Sequence, residues 1–419
     1  MTRIGKSGWA TRDDKPAEAL YKTPRSGIHV PTAIPITIVE RHPKEIEMRT
    51  RAAIIREPGN PWEVTTLELD DPGPGEVLIK FTASGMCHSD EHMRSGDTEG
   101  RLPMVGGHEG AGVVEAVGDA VTRVRVGDHV VCSFIPACGA CRYCSTGRQN
   151  LCDQGAEMVT GKLPDGTFRF HDDAGEDLGG FCALGTFSQR AVVSQFSCIT
   201  ILDDIPLDVA ALVGCGVPTG WGTAVYAAGV SAGDTVVIYG AGGVGSNAIQ
   251  GARYAGAKNV VVVDPIALKR EYAQEFGATH VFPDAQSAHE AVQDMTWGQL
   301  AEHAIITVGV LSADVVSAAA EVVGKDGQVT ITSVGRSGDK QIALAANGAI
   351  VGYQRRIQGH VFGMCNPLYD VPRLLRLYRD GQLKLNELIT HRYSLDEINR
   401  GYDDLEQGRN IRGVIMHED

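Results

Sequence analysis

Apolar positions along this chain follow two different rhythms, and the change falls near residue 213. From Met48 onward, short apolar runs alternate with polar positions or stand unbroken, each closed by Gly, Asp or Pro. Examples are MRTRAAIIREPG (48–59), EVLIKFTASG (76–85), GAGVVEAVG (110–118) and VGDHVVCSF (126–134). Many short strands punctuated in this way predict a barrel or sandwich. After GVPTGWG (216–222) a buried strand and a Gly-rich turn lead into a small-residue helix, DTVVIYGAGGVGSNAIQGARYAGA (234–257). A second buried strand, KNVVVVD (258–264), precedes a helical PIALKREYAQEFGA (265–278), and AIITVG (304–309) and GQVTITSVG (327–335) read as further strands. Strands alternating with helices predict a parallel, doubly wound sheet. From about residue 362 the chain returns to helices, PLYDVPRLLRLYRDGQL and SLDEINRGYDDLEQG, and a last strand RGVIMH (412–417). Residues 1–47 show no sustained period and read as a separate extension. No fixed-period repeat or low-complexity tract is present.

Composition narrows the class. The 419 residues are 43% hydrophobic and 21% charged, which suits a large buried core divided between two domains. A net charge of −14 argues against nucleic acid and anionic membranes as partners. No apolar run approaches the ~20 residues of a membrane span. HVPTAIPITIV (29–39) is interrupted by Pro31 and Pro35, so a secretory signal is not expected. The expected setting is the reducing cytoplasm, where clustered cysteines mean metal or catalysis rather than disulfides.

Four of the ten cysteines fall in CGACRYCSTGRQNLC, spaced C-x2-C-x2-C-x7-C. Cys138, Cys141, Cys144 and Cys152 can converge on one tetrahedral Zn2+. A closed four-thiolate shell has no open position, so this metal would hold a loop and the chemistry would lie elsewhere. GAGGVG comprises Gly240, Ala241, Gly242, Gly243, Val244 and Gly245. It follows a strand, opens a helix and has Asp264 at the end of the next strand, the full context of a dinucleotide site. Gly240 would make the turn, Gly242 would admit the pyrophosphate, and Gly245 would let helix pack on strand. Asp264 would accept hydrogen bonds from the adenosine ribose, which favours NAD over NADP, and Lys269 could add a ribose contact. GMCHSDEH (85–92), GGHEGAG (106–112) and VGCGVPTGWG (213–222) each set a Cys, His or Glu beside glycines. Cys87, His108 and Cys215 would form the Cys2His set of a catalytic zinc with its fourth position open. The residues alone leave that grouping undecided, because they are far apart in the chain.

The motifs in this order, with the four-cysteine lobe, resemble the zinc-dependent medium-chain alcohol dehydrogenases over about residues 48–419. CSFIPACGACRYCSTGRQNLC, DGTFRFH, LVGCGVPTGWGTAVYA and IQGHVFGMCNPLYD are most similar to an actinobacterial branch. That branch includes nicotinoproteins assayed with a nitrosoaniline dye. The resemblance implies an α/β fold: a GroES-like β-barrel catalytic domain (48–216 and 362–419) and a Rossmann NAD-binding domain (217–361). It implies Cys87, His108 and Cys215 as catalytic zinc ligands, with Glu109 an acid behind the metal and Asp90 orienting the ligand histidine. Ser89 and His92 match a proton relay through the nicotinamide ribose. His88 and Arg412 match pyrophosphate contacts, Thr219 and Val334 further cofactor contacts, and Thr98 and Phe134 the substrate pocket. The implied reaction takes an alcohol to an aldehyde or ketone with hydride transfer to NAD. Tightly bound NADH would be reoxidised in place by a second acceptor, and the chain would form a homo-oligomer, dimer or tetramer.

Other readings compete. Ser89 could cap a helix, His92 could lie at the surface, and Phe134 could be core. Cys132, Cys182, Cys198 and Cys365 read as small buried hydrophobes, and His171 as loop surface. Rival functions are a dehydrogenase of a thiol–formaldehyde adduct, an ordinary NAD-exchanging enzyme, and a metal-free relative kept for binding.

Overall fold

The computed structural model describes residues 48–336 and 349–418, which fall in one compact unit. The extension expected over residues 1–47 lies outside them. The first rhythm becomes two sheets. Met48–Ile55 and Glu63–Leu69 join three short strands in a closed five-stranded barrel. Glu76–Gly85 is central to the neighbouring seven-stranded sheet, pairing antiparallel with Gly110–Val117, Arg190–Ser194 and the C-terminal strand Arg412–Met416. That last pairing returns the end of the chain to its first half, beside the segment that carries Cys87.

The second rhythm becomes a six-stranded, all-parallel sheet in the order His280–Phe282, Asn259–Val263, Thr235–Tyr239, Ala301–Ile306, Val323–Ile331, Arg356–Gly359. Strand order reverses between Thr235–Tyr239 and Ala301–Ile306, which opens a crevice at the carboxyl ends of these strands. The wholly apolar runs are buried: Val236, Val237, Ile238, Val260, Val261 and Val262 are each fully inaccessible. The architecture is therefore the α/β combination expected, a barrel half and a doubly wound half.

Small residues close the joint between helices. A Cβ on Gly220 would lie 2.1 Å from the Val244 carbonyl oxygen, so Gly216–Gly222 packs directly on Gly243–Tyr254. Cys132, Cys182, Cys198 and Cys365 are buried, as expected. His171 departs from expectation. It sits in the short strand Phe170–His171 with Asp70 and Asp177 at 3.0 and 2.9 Å, because these carboxylates bracket its ring. Among the described residues no single helix is long and apolar enough to cross a membrane.

Candidate active site

Three separated turns build the centre. Two residues beyond strand Glu76–Gly85 stands Cys87, the N-cap of helix His88–Ser95. His108 follows Gly107, whose φ of +87° bends the chain where any Cβ would meet the Phe187 backbone at 2.5 Å. Cys215 stands at a non-helical break (φ −146°, ψ −74°) before Gly216–Gly222. Together these turns bring donor atoms of Cys87, His108, Glu109 and Cys215 within 4.8 Å of one another, all buried.

The donors fit zinc. His108 Nδ1 lies 3.1 Å from Asp90 Oδ1, which also accepts from the Gly107 N–H at 2.9 Å. This pairing fixes the ring and leaves His108 Nε2 buried without a hydrogen-bond partner, as a metal-ligating nitrogen would be. A hydrogen bond from the Cys215 thiol, helped by His108 against burial, holds Cys87 well below the usual thiol range. Burial pushes Glu109 up to about 7 although Arg412 opposes it. Glu109 forms a buried ion pair with Arg412 and accepts from the Gly216 N–H at 3.1 Å. Two thiols and an imidazole around a buried centre are a zinc donor set of the catalytic kind.

The four cysteines of the lobe also converge, with their sulfurs within 4.8 Å of one another and no disulfide among them. The turns aim backbone N–H groups at sulfur: Cys141 N at Cys138 Sγ (3.3 Å), Cys144 N at Cys141 Sγ (3.4 Å), Cys138 N at Cys152 Sγ (3.4 Å). The Cys144 N–H is the main reason that Cys141 is lowered to about 6. That donor favours the Cys141 thiolate, the form that binds zinc, whereas burial pushes the Cys144 thiol up to about 12.

Between the two halves lies a cavity of about 500 Å3. Met86, Cys87, His88, Ser89 and His92 line one side; Gly240, Gly242, Gly243, Val244, Asp264, Lys269 and Val334 line the other, and Arg412 reaches in from the last strand. The glycines divide their work. A Cβ on Gly242 would meet nothing within 4 Å, so the backbone there is open to a ligand at the start of helix Gly243–Tyr254. Gly245 instead faces the strand, where a Cβ would lie 2.0 Å from the Gly240 carbonyl oxygen. Asp264 accepts from Ala241 N (2.8 Å) and Ile266 N (2.9 Å), which orients its carboxylate at the cavity wall. Burial takes His88 down to about 4, so its ring offers one N–H and no charge at neutral pH.

Several expectations change in detail. Ser89 is not the cap: helix His88–Ser95 begins one residue earlier, and Ser89 Oγ lies 3.7 Å from Cys87 Sγ. His92 is 6% exposed rather than superficial, with Nε2 2.9 Å from the Gly309 carbonyl oxygen and Nδ1 3.3 Å from Asp97 Oδ2. The Phe134 ring meets His108 edge-on at 5.9 Å. Thr98 and Thr219 do not line the cavity. The Thr98 N–H donates to the His92 carbonyl (2.9 Å), and Thr219 stands one turn beyond Cys215. Sequence reasoning missed Phe181, whose ring packs edge-on against His108 at 5.3 Å, and also missed Asp97 and Gly309. FCALG carries no metal or turn signal, and only folding brings Phe181 to the site.

Comparison with known proteins agrees with this geometry. Residues 73–203 match the alcohol dehydrogenase GroES-like domain and residues 243–380 match zinc-binding dehydrogenase. The chain is 56% identical to the NDMA-dependent alcohol dehydrogenase of Amycolatopsis methanolica, over 88% of this chain and 99% of that protein. It is 44% identical to alcohol dehydrogenase B of Mycobacterium tuberculosis, over 89% of this chain and 99% of that one. The crystal structure of benzyl alcohol dehydrogenase from Acinetobacter calcoaceticus superposes with a TM-score of 0.82 at 29% identity, covering 88% of this chain and all of the other.

Proposed function

This chain belongs to the zinc-dependent alcohol dehydrogenases, and from that premise we propose that it holds NAD as a resident cofactor while oxidising small alcohols. The observation that carries the site assignment is the buried meeting of Cys87, His108 and Cys215 at the end of the dinucleotide cavity. Zinc held there by these three residues would supply Lewis acidity, worth several kcal/mol on a developing oxyanion. NAD would supply the hydride acceptor.

The chain's own residues do the rest. Asp90 fixes the His108 tautomer. Phe134 and Phe181 keep the approach apolar and dry, which strengthens every charge interaction inside. Ser89 takes the hydroxyl proton, and His92, on the same helix, passes it outward. Relays of this kind contribute roughly 10²–10⁴-fold. Glu109, neutralised by Arg412, stands behind the metal site. His88, Arg412, Val334 and the Gly240–Gly245 turn hold the dinucleotide, with Asp264 and Lys269 at its ribose. Residues 48–216 with 362–419 act as the catalytic domain and 217–361 as the nucleotide domain, in a cytoplasmic homo-oligomer.

Asp264 also selects the cofactor. A 2′-phosphate would meet a buried carboxylate. Asp264→Ser is expected to raise NADP affinity and lower NAD affinity, measured as Kd for each by fluorescence titration. Unchanged discrimination would remove Asp264 from this role.

Retention is supported by the hydrogen bond that crosses the cleft from His92 Nε2 to the Gly309 carbonyl (2.9 Å) and by the 56% identity to an NDMA-dependent relative. The test is to purify the protein without added NAD, dialyse, denature and quantify released nucleotide. Turnover is then assayed with an artificial electron acceptor in place of NAD. Close to one nucleotide per chain and acceptor-driven turnover are expected. Empty sites with turnover that depends on added NAD would overturn retention and leave the zinc dehydrogenase assignment intact.

A further inference from the structure

We propose that Asp97 is the positioning residue of His92: its carboxylate holds the imidazole by Nδ1 where the proton leaves the cleft, and Arg336 tunes that hold. The proposal rests on the relay role given to His92 above.

His92 lies in the last turn of helix His88–Ser95. The helix stops at Gly96, whose left-handed conformation (φ 84°) folds the chain back so that Asp97 Oδ2 comes within 3.3 Å of His92 Nδ1. On the other side of the ring, Nε2 is 2.9 Å from the Gly309 carbonyl oxygen. A carbonyl oxygen can only accept, so Nε2 carries a hydrogen. An ionised carboxylate can only accept, so a hydrogen on Nδ1 completes the second bond. Both bonds are made together only by the doubly protonated ring, its charge balanced by Asp97. That is the form His92 takes once it has received the substrate's proton. Asp97 therefore favours the loaded relay and marks its outlet, since its side chain is 23% exposed and that of His92 only 7%. Because Nε2 keeps its hydrogen on the Gly309 carbonyl, the proton is both gained and lost at Nδ1; it leaves for water at this carboxylate, and the ring returns to neutral. No electron moves in this step.

The surroundings give the sign. From its own helix His92 faces the His88 ring, with centroids 6.4 Å apart. From the loop after Ala301–Ile306 it faces the Gly309 carbonyl. From the loop after Val323–Ile331, Arg336 Nε reaches Asp97 Oδ1 at 3.6 Å. The Asp97 carboxylate balances the charge of the doubly protonated ring, and the Arg336 guanidinium competes for the same carboxylate. If the Asp97–Arg336 pair were only a surface tie between loops, it would add little to stability and nothing to proton transfer.

Opposite charge changes separate these cases. Asp97→Asn keeps the shape and an acceptor oxygen but removes the charge. Its kcat is expected to fall about tenfold, a part of the whole relay's contribution, with KM and thermal midpoint held. The acid limb of its kcat profile should move to lower pH. Arg336→Gln should move that limb to higher pH, and Asp97→Glu should restore most of kcat. In nucleotide-stripped protein, 15N NMR of the His92 ring should titrate in the same two directions. Asp97→Asn and Arg336→Gln profiles that match the wild type, or that move in one direction together, would overturn the proposal. His92→Gln distinguishes the levels. If it depresses kcat while Asp97→Asn does not, the Asp97 assignment alone fails; if it leaves kcat and its pH profile intact, the relay and Asp97 fail together.

Discussion

Replacing Cys144 by serine is expected to halve the zinc content, from two ions per chain to one, and to lower the unfolding midpoint sharply. Cys144 is 8% exposed, and its sulfur lies 3.9 Å from that of Cys138, inside the four-sulfur cluster. Apart from these sulfurs, the lobe has little of its own to hold it. Its apolar cluster comprises Ile135, Cys144 and Cys152 with a few half-buried neighbours, too little to fix the turns by burial alone. A structural zinc contributes about 10–16 kcal/mol in small zinc peptides, far more than such a cluster supplies. Serine is a poor zinc ligand at neutral pH, and three remaining thiolates bind the metal less tightly. The loss should spread to the active site, because Phe134, on the approach to this lobe, packs on His108 and on Phe362. Metal analysis together with a melting curve checks it. Two zincs retained with an unchanged melt would show that the lobe is not a metal site.

Cys215→Ser is expected to separate activity from folding in the opposite sense. The site has few stabilising duties beyond itself: the nucleotide sheet is held by its buried valines and isoleucines, and the barrel by its own core. Removing one of three ligands should weaken zinc binding at this site only. The lost charge stabilisation is several kcal/mol, and each ~1.4 kcal/mol is tenfold in rate. A fall in kcat of about a thousandfold or more is therefore expected, with near wild-type melting, one zinc per chain and undiminished nucleotide content. Retained activity in a protein that has lost this zinc would remove the metal from the reaction. Unfolding alongside the loss of zinc would make the site structural.

The sequence by itself determined what depends on neighbours along the chain. The four thiols of the lobe are close enough in sequence for a few turns to gather them, and GAGGVG between a buried strand and a helix dictates its own turn. The two hydrophobic rhythms separated a barrel half from a doubly wound half for the same reason: alternation and helical period are local properties. Tertiary structure alone decided the rest. Cys87, His108 and Cys215 meet because a strand end, the turn before Gly110–Val117 and a break between two helical segments come to one place, which no spacing encodes. Arg412 reads as a cofactor contact in sequence, yet its guanidinium pairs with Glu109, 303 positions away, because the last strand lies beside Glu76–Gly85. His92, matched by resemblance to a proton relay, is held buried between Asp97 and Gly309, the latter 217 positions distant, an environment no local signal gives. Phe181, unremarkable in sequence, becomes a wall of the site because the barrel folds it against His108. Burial and charge pairing act through space, so the protonation of Glu109 and His88 and the hold on His92 are set by the packed fold and not by sequence order.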